Sequence, residues 1–508
     1  MGVRCGAPIL GSRPAIAPAA SPKSRQTAPG GARHRTPTEI SMRFLACSLL
    51  AWAAQAAAQS PTPAPVPPPP ADPVLTPLLQ AVDPALLRRH IDTLAAFGTR
   101  HTASETASET RGIGAARRWI EREWRTCAKG TPLQISTRSH TEPVGRRIAA
   151  PTEIVNVLAT LPGRDPKRFI VVSGHYDSRN ADVMDAQGDA PGANDDASGT
   201  AAVMAMACTM ARSSRPPEAT LVFAAVAGEE QGLLGAAQLA KELDIDGQSV
   251  EAMVTNDIVG SPRGAKGEHA PMRIRLFADG LDPLLRLMLR GAQAEASPRL
   301  KAQQALAAAG GADDLPAAQL GRHMARAAEA YVPGTQIDLI QRRDRTLRGG
   351  DHLPFLERGL AAVRFTEPFE NYANQHQNVR LENGQLAGDL PAFVDVDYLA
   401  RVTRANLAGL ATLAWAPPPP AQVQVDASEL SNDTRLTWAP SPGASGYRVL
   451  WRRSESARWE WARDLPASAR EAVIAGVSRD DVVFGVQALG AGGHSSLAVY
   501  APPVAPAR

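Results

Sequence analysis

The stretch Pro191-Gly-Ala-Asn-Asp-Asp-Ala-Ser-Gly-Thr200 sets two adjacent carboxylates, Asp195 and Asp196, on a small-residue turn that leads into an apolar segment. Neighbouring anions repel unless they diverge or share a cation, so the pair predicts a metal. Upstream, the strand-like run Phe169-Ile-Val-Val leads into Ser173-Gly-His-Tyr-Asp-Ser178. Downstream, Thr220-Leu-Val-Phe-Ala-Ala-Val226 leads into Ala227-Gly-Glu-Glu-Gln-Gly232. In an open α/β sheet, ligands bind outside the carboxyl ends of the strands. His175, Asp177, Asp195, Asp196, Glu229 and Glu230 are therefore expected on one rim.

Working outward, strand-like runs at 154–161, 169–173, 220–226, 253–257, 274–277 and 361–366 alternate with helical patterns at 200–212 and about 233–243. This alternation predicts an α/β fold with a mostly parallel mixed sheet flanked by helices on both faces. A helix over about 112–127 carries Ile113, Ala116, Ile120, Trp124 and Cys127 on one stripe. The Ala-rich block from about 281 to 345 shows helical stripes and reads as an inserted cap over the site. A last helix, about 397–415, ends at Ala416-Pro-Pro-Pro-Pro420, closing a domain of residues 86–416. Beyond it, residues 421–508 carry short alternating strands between Ser, Pro and Gly turns, the pattern of a small all-β sandwich.

With 508 residues the chain needs more than one folding unit, and a net charge of +3 gives no reason to expect a nucleic acid partner. The run from Met42 to Ala58 has a short basic start, an apolar middle and a small-residue end, the form of a secretory signal peptide. Residues 1–41 then read as a misassigned start or a disordered segment, with a transit peptide and an uncleaved anchor as alternatives. The run is too short to span a bilayer, so no stable membrane span is expected, and the product is exported to the periplasm or the extracellular space. Residues 59–85 read as a Pro-rich linker. The four cysteines, Cys5, Cys47, Cys127 and Cys208, form no Cys-x-x-Cys pair, so any metal here uses nitrogen and oxygen ligands. Export leaves Cys127 and Cys208, as a disulfide or as two buried thiols.

The chemistry-bearing set is His175, Asp177, Asp195, Asp196, Glu229, Glu230, Asp257, Asp351, His352 and His376. Two divalent cations sharing one carboxylate need about five protein ligands, and His with carboxylate fits zinc. Adjacent Glu229 and Glu230 suit a division in which one turns to the metal and the other acts as general base. Singly, each residue reads as a turn, a cap or a solvated acid; the set carries the weight.

The segments Gly174-His-Tyr-Asp-Ser178, Gly192-Ala-Asn-Asp-Asp-Ala-Ser-Gly199, Gly228-Glu-Glu-Gln-Gly232, Thr255-Asn-Asp257, Gly349-Gly-Asp-His-Leu-Pro-Phe355 and Asn374-Gln-His-Gln377 stand in order over about residues 150–380. In that order they resemble the di-zinc aminopeptidases related to bacterial leucyl aminopeptidases and glutamate carboxypeptidase. The resemblance implies a zinc exopeptidase fold with two Zn2+ per chain, Asp195 shared between them. His175 and Asp257 would complete one site, and Glu230 and His376 the other. Glu229 would be the general base, Asp177 would orient His175, and the Asp195-Asp196 peptide would be cis. His376-Gln-Asn-Val-Arg380 departs from the family's usual His-Thr-x-x-Asp, which makes His352 the competing ligand.

The same resemblance implies an aminopeptidase acting on peptides, exported by the segment at 42–58, with a carboxypeptidase or dipeptidase of the same fold as the alternative. An inactive receptor ectodomain is the alternative of another class, and a one-zinc glutaminyl cyclase is disfavoured because every ligand is retained. The basic run 341–348 reads as a solvated face, placed so that an arginine such as Arg342 can hold a substrate carboxylate. Trp438, Tyr447 and Phe484 resemble a fibronectin type III core, Phe484 standing where a tyrosine is usual. Such a module is suited to binding a surface, a polymer or its own catalytic domain.

Overall fold

Successive side chains of a strand face opposite sides of a sheet, and this alternation decides how the central strands are covered. The computed structural model describes residues 63–245, 247–281 and 297–504; the expected signal segment, the first 41 residues and the start of the linker lie outside them. One sheet holds β1 (Gln134–Glu142), β2 (Thr152–Leu161), β3 (Asp165–His175), β4 (Ala219–Val226), β5 (Ser249–Asn256), β6 (Arg273–Phe277), β7 (Gln336–Ile340) and β8 (Ala362–Thr366). Their order is β1-β2-β4-β3-β5-β8-β6-β7. The central pairs β3/β4, β3/β5 and β5/β8 are parallel, as is β6/β7, while β1/β2, β2/β4 and β6/β8 are antiparallel. This is the mostly parallel mixed sheet expected.

Ile170, Val172, Leu221, Phe223 and Val254 join one apolar cluster with the helices Pro84–Ala96, Gly112–Ala128, Ala197–Met210, Pro316–Tyr331 and Val396–Ala414. Val171, Val222, Ala224 and Met253 face the other way, beneath Leu234–Leu243 and Leu353–Leu356. Because both faces are covered, β4 has no polar alternation and is buried along its whole length. The carboxyl ends of β3, β4, β5 and β8 lie on one edge; His175 is the last residue of β3, and the loops leaving the other three carry Glu229, Asp257 and Glu367. Gly174 lets Ala197–Met210 approach that edge: a Cβ there would lie 2.5 Å from the Gly199 carbonyl carbon. Cys127 and Cys208 form a disulfide, tying Gly112–Ala128 to Ala197–Met210.

Two boundaries differ from expectation. The block 281–345 is not wholly helical: Pro298–Leu306 and Pro316–Tyr331 are helices, but Gln336–Ile340 is a strand bonded to β6. Leu320, Met324 and Ala325 of Pro316–Tyr331 belong to the main core, so this part covers the sheet instead of capping the site. A five-residue edge strand shows too little periodicity to read. The linker is corrected too, since Leu75, Leu78, Leu79 and Val82 enter the same core. Residues 63–73 are extended but held: Ala462 N donates to Ala64 O, Val66 N to Glu460 O, and Tyr331 Oη to Pro70 O.

The C-terminal part is a sandwich of two four-stranded sheets. One joins Ala421–Asp426, Thr434–Ala439, Glu471–Ile474 and Pro503–Val504; the other joins Gly446–Arg453, Trp461–Pro466, Val482–Leu489 and Val499–Tyr500. Val425, Leu436, Trp438, Tyr447, Phe484 and Val486 fill it. Asp314 fixes it to the α/β part, accepting from Arg322 of Pro316–Tyr331 at 3.0 Å and from Arg452 of the sandwich at 2.6 Å. All three side chains are at most 4 % exposed, and both guanidiniums lie against the Trp459 ring. Among the described residues no helix is long and apolar enough to cross a membrane. Removing one partner of a buried ion cluster strands the others uncompensated, at a cost of about 3–5 kcal/mol. Asp314→Ala is expected to lower the unfolding free energy from chemical denaturation by that order, whereas an unchanged value would show the contact to be dispensable.

Candidate metal centre

The turn after β3 and the turn Pro191–Asp196 are clamped together by Arg100, a fully buried guanidinium. Its Nε donates to Tyr176 O at 2.6 Å, Nη1 to Pro191 O at 2.6 Å and Nη2 to Gly192 O at 2.9 Å. Burial drives its pKa down to about 10 despite the acids nearby. Gly192 has φ +50°, and a Cβ there would lie 2.5 Å from Ser178 Cβ, so the turn excludes other residues. Asp389 holds the next two amides, accepting from Asn194 N and Asp195 N at 2.8 Å each. The Asp195-Asp196 peptide is cis. The two carboxylates then diverge. Asp196 caps the helix that follows, accepting from Gly199 N at 2.8 Å and from His175 N at 3.0 Å, while Asp195 faces the rim.

Asp195 belongs to two clusters at once. Its Oδ1 lies 3.2 Å from His175 Nε2, which is 3.8 Å from Asp257 Oδ1. Its Oδ2 lies 2.8 Å from His376 Nε2, which is 2.9 Å from Glu230 Oε1. Within each triad the ligand atoms lie inside 4.8 Å of one another. The structure thus gathers His175, Asp195, Glu230, Asp257 and His376, and turns His352 away to the Arg343 carbonyl at 2.6 Å. His376 sits at φ +57°, a left-handed backbone that aims its ring at the cluster.

These atoms fit a cation better than they fit each other. His175 Nε2, Asp257 Oδ1 and Glu230 Oε1 are buried without a hydrogen-bond partner among the described residues, and an orphaned polar atom costs about 1–3 kcal/mol. Imidazole with carboxylate, free of thiolate, is a donor set for zinc. The far atoms of two ligands are already bonded, His175 Nδ1 to Asp177 O at 3.1 Å and Asp257 Oδ2 to Arg364 at 2.9 Å, while the Gln375 amide donates at 2.7 Å to Asp195 Oδ2, the oxygen that also faces His376. Burial works against charge on His175, yet Asp177, Asp195 and Asp257 raise its pKa well above the usual histidine range. Burial likewise opposes the Asp195 charge, but His376 and His175 hold its carboxyl well below the usual carboxylate range.

Glu229 lines the cavity over these clusters, roughly 430 Å³ in volume. Burial pushes its carboxyl well above the ordinary range, and Asp257, Glu230 and Asp351 add to that. Asp177 meets the His175 ring through its carbonyl and, at longer range, through its carboxylate. Its carboxylate oxygen lies 3.5 Å from His175 Nδ1, while it accepts from Glu229 N at 3.3 Å, Glu230 N at 3.1 Å and Thr102 Oγ1 at 3.0 Å. It therefore positions the Glu229–Glu230 turn. Arg179, Gln375 and Asp389 escaped the sequence reading. Gln375 lies inside the segment Asn374–Gln377, beside His376, and Arg179 directly follows Ser178. Arg179 Nε donates to Glu230 Oε2 at 2.8 Å, and its Nη2 stands 2.5 Å from His376 Nδ1.

Residues 156–271 match the model of peptidase family M28. A "probable zinc metalloprotease" of Pyrenophora teres f. teres is 42 % identical over 438 residues, spanning 85 % of this chain and 87 % of its own. A protein of the same description from Pyricularia oryzae is 43 % identical over 442 residues, 85 % of each chain. Among solved structures, LapB from Legionella pneumophila aligns with a TM-score of 0.47 at 18 % identity, over 68 % of this chain and 76 % of that one.

A ligand that binds only the folded chain stabilises it, by about 2.7 kcal/mol at a hundred times its dissociation constant. Zinc added to chelator-stripped protein is accordingly expected to raise the urea midpoint. The gain should shrink as the pH falls, because the proton on His175 has to leave before Nε2 can bind a metal. A zinc effect that is absent, or that grows in acid, would exclude this ligand set.

Proposed function

The chain is a zinc metalloprotease of peptidase family M28, and on that premise we propose that it is a di-zinc aminopeptidase releasing the N-terminal residue of peptides. The observation that carries the reading is Asp195, whose two carboxylate oxygens face two separate triads. His175, Asp195 and Asp257 would hold one ion, and Asp195, Glu230 and His376 the other. When bound, such ions supply Lewis-acid charge that polarises the scissile carbonyl and makes water acidic enough to deprotonate near neutral pH.

Glu229 is the group free to move the proton. Glu230 is committed to His376 and Arg179, whereas Glu229 is anchored through its amide and lines the cavity with its side chain. Its carboxylate takes a proton from the attacking water as the new C–O bond forms. It then gives that proton to the amide nitrogen as the C–N bond breaks, which leaves an acid and a free amine. Asp177 holds the turn on which this carboxylate sits. A free α-ammonium finds acceptors on the far side of Asp195, where a second cavity of roughly 550 Å³ is lined by Glu367, Asp389 and Asp395.

We read the chain as exported, which the Cys127–Cys208 disulfide supports, since such bonds persist in oxidising compartments. We also read the sandwich as a fibronectin type III-like module, supported by its two four-stranded sheets.

Two measurements test these assignments. Glu229→Gln is expected to keep about two zinc ions per chain and lose about 10²–10⁴-fold in kcat; unchanged turnover removes Glu229 from the mechanism. Matched peptides with free and N-acetylated amino ends are expected to be cleaved only when free. Equal cleavage would move the reading to an exopeptidase acting at the carboxyl end.

A further inference from the structure

The cavity over the metal centre is edged by Arg147, Arg179, Arg343, Arg345 and Arg348. Its carboxylates are Asp195, Glu229, Glu230 and Asp257, all taken by the metal triads or by proton transfer. The acids behind the arginines are outnumbered. Glu370 alone serves Arg275, Arg345 and Arg348, at 2.9, 2.8 and 2.7 Å, and Asp344 is divided between Arg345 and Arg364. Arg147 donates to a neutral acceptor, the Glu230 carbonyl, at 2.7 Å. Positive charge is therefore in excess on this side of Asp195. On the other side, Glu367, Asp389 and Asp395 line the second cavity with Arg263 as the lining cation among the described residues.

An α-ammonium is repelled by the arginine side; on the other side it meets carboxyl oxygens, and although burial pushes Glu367 and Asp389 up toward their neutral forms, a cation beside them favours their charge. The N-terminal residue therefore goes to the acidic cavity, and the residue after the scissile bond goes among the arginines. A guanidinium pairs with a carboxylate through two parallel N–H donors, a geometry that a neutral side chain cannot match.

We propose that this protein prefers substrates whose second residue carries a carboxylate, held by Arg147 and Arg348. The carboxylate is either an acidic side chain or the free carboxyl end of a dipeptide. This rests on the aminopeptidase reading above. The Arg342 expected from sequence is not the holder: it turns to Thr346 Oγ1 at 3.1 Å, outside the cavity lining.

The test compares kcat/KM of the zinc-loaded full chain on Ala-Ala-NH2, Ala-Lys-NH2, Ala-Glu-NH2 and the dipeptide Ala-Ala. The expected result is a gain of at least about tenfold over Ala-Ala-NH2 for a carboxylate-bearing substrate, the size of one charge-assisted hydrogen bond, with Ala-Lys-NH2 slowest. A gain for Ala-Glu-NH2 identifies the side chain as the source, and a gain for Ala-Ala identifies the chain end. In Arg147→Gln and Arg348→Gln the ratio of acidic to neutral kcat/KM should fall toward one, through KM; a ratio within one sample is unaffected by partial loss of metal. Cleavage of Ala-Ala-NH2 at a rate equal to or above both carboxylate-bearing substrates overturns the preference and leaves the aminopeptidase standing. Failure to cleave any of the four overturns both.

Discussion

Burying like charges at one sheet edge is the constraint on which the rest of the structure depends. Asp177, Asp195, Asp196, Glu230, Asp257 and Asp351 are all nearly inaccessible and crowd the carboxyl ends of the parallel strands. Water no longer separates them, so each must be bonded, neutral or facing a cation. Asp196 is absorbed as a helix cap and Asp177 by two amides and a hydroxyl, while burial pushes Asp351 up to about 7. Asp195, Glu230 and Asp257 are left facing two imidazoles across gaps suited to ions. Positive charge at this edge, on those rings or on an ion, is what balances the acids.

Arginine does the remaining balancing, on two levels. Arg100 and Arg364 are sealed inside, one clamping turns by their carbonyls and the other holding one oxygen of Asp257. The arginines around the cavity mouth are less enclosed and share too few acids. A cation among carbonyls fixes shape, whereas a cation at an opening selects what enters.

The sequence was most legible where burial was most complete. Phe169–Val172 and Leu221–Val226 show as strands because both faces are covered and every position is apolar. The ligands showed because their residue types recur in a fixed order directly after those strands. β1 and β7 did not show, since edge strands have a polar outer side and no apolar period to detect. Asp389 and Gln375 were illegible for another reason. Each acts on Asp195 from about 180 or more residues away; nothing near Asp389 marks it, and Gln375 is overshadowed by the adjacent His376. The strap at 63–73 was missed because its bonds run through backbone, which composition does not record.

That strap changes what a domain boundary means in this chain. Ala64 and Val66 bond along the strand Trp461–Pro466 of the sandwich, and a few residues later Asp72 meets both Arg215 of the α/β part and His494 of the sandwich. The sandwich is therefore reached by chain from both sides, through Pro417–Pro420 and through the start of the described residues. Cleavage at the proline run would leave a nicked but still assembled protein, with the two pieces held by the strap and the Asp314 cluster. A sandwich excised at that boundary would lack one of the segments that completes it.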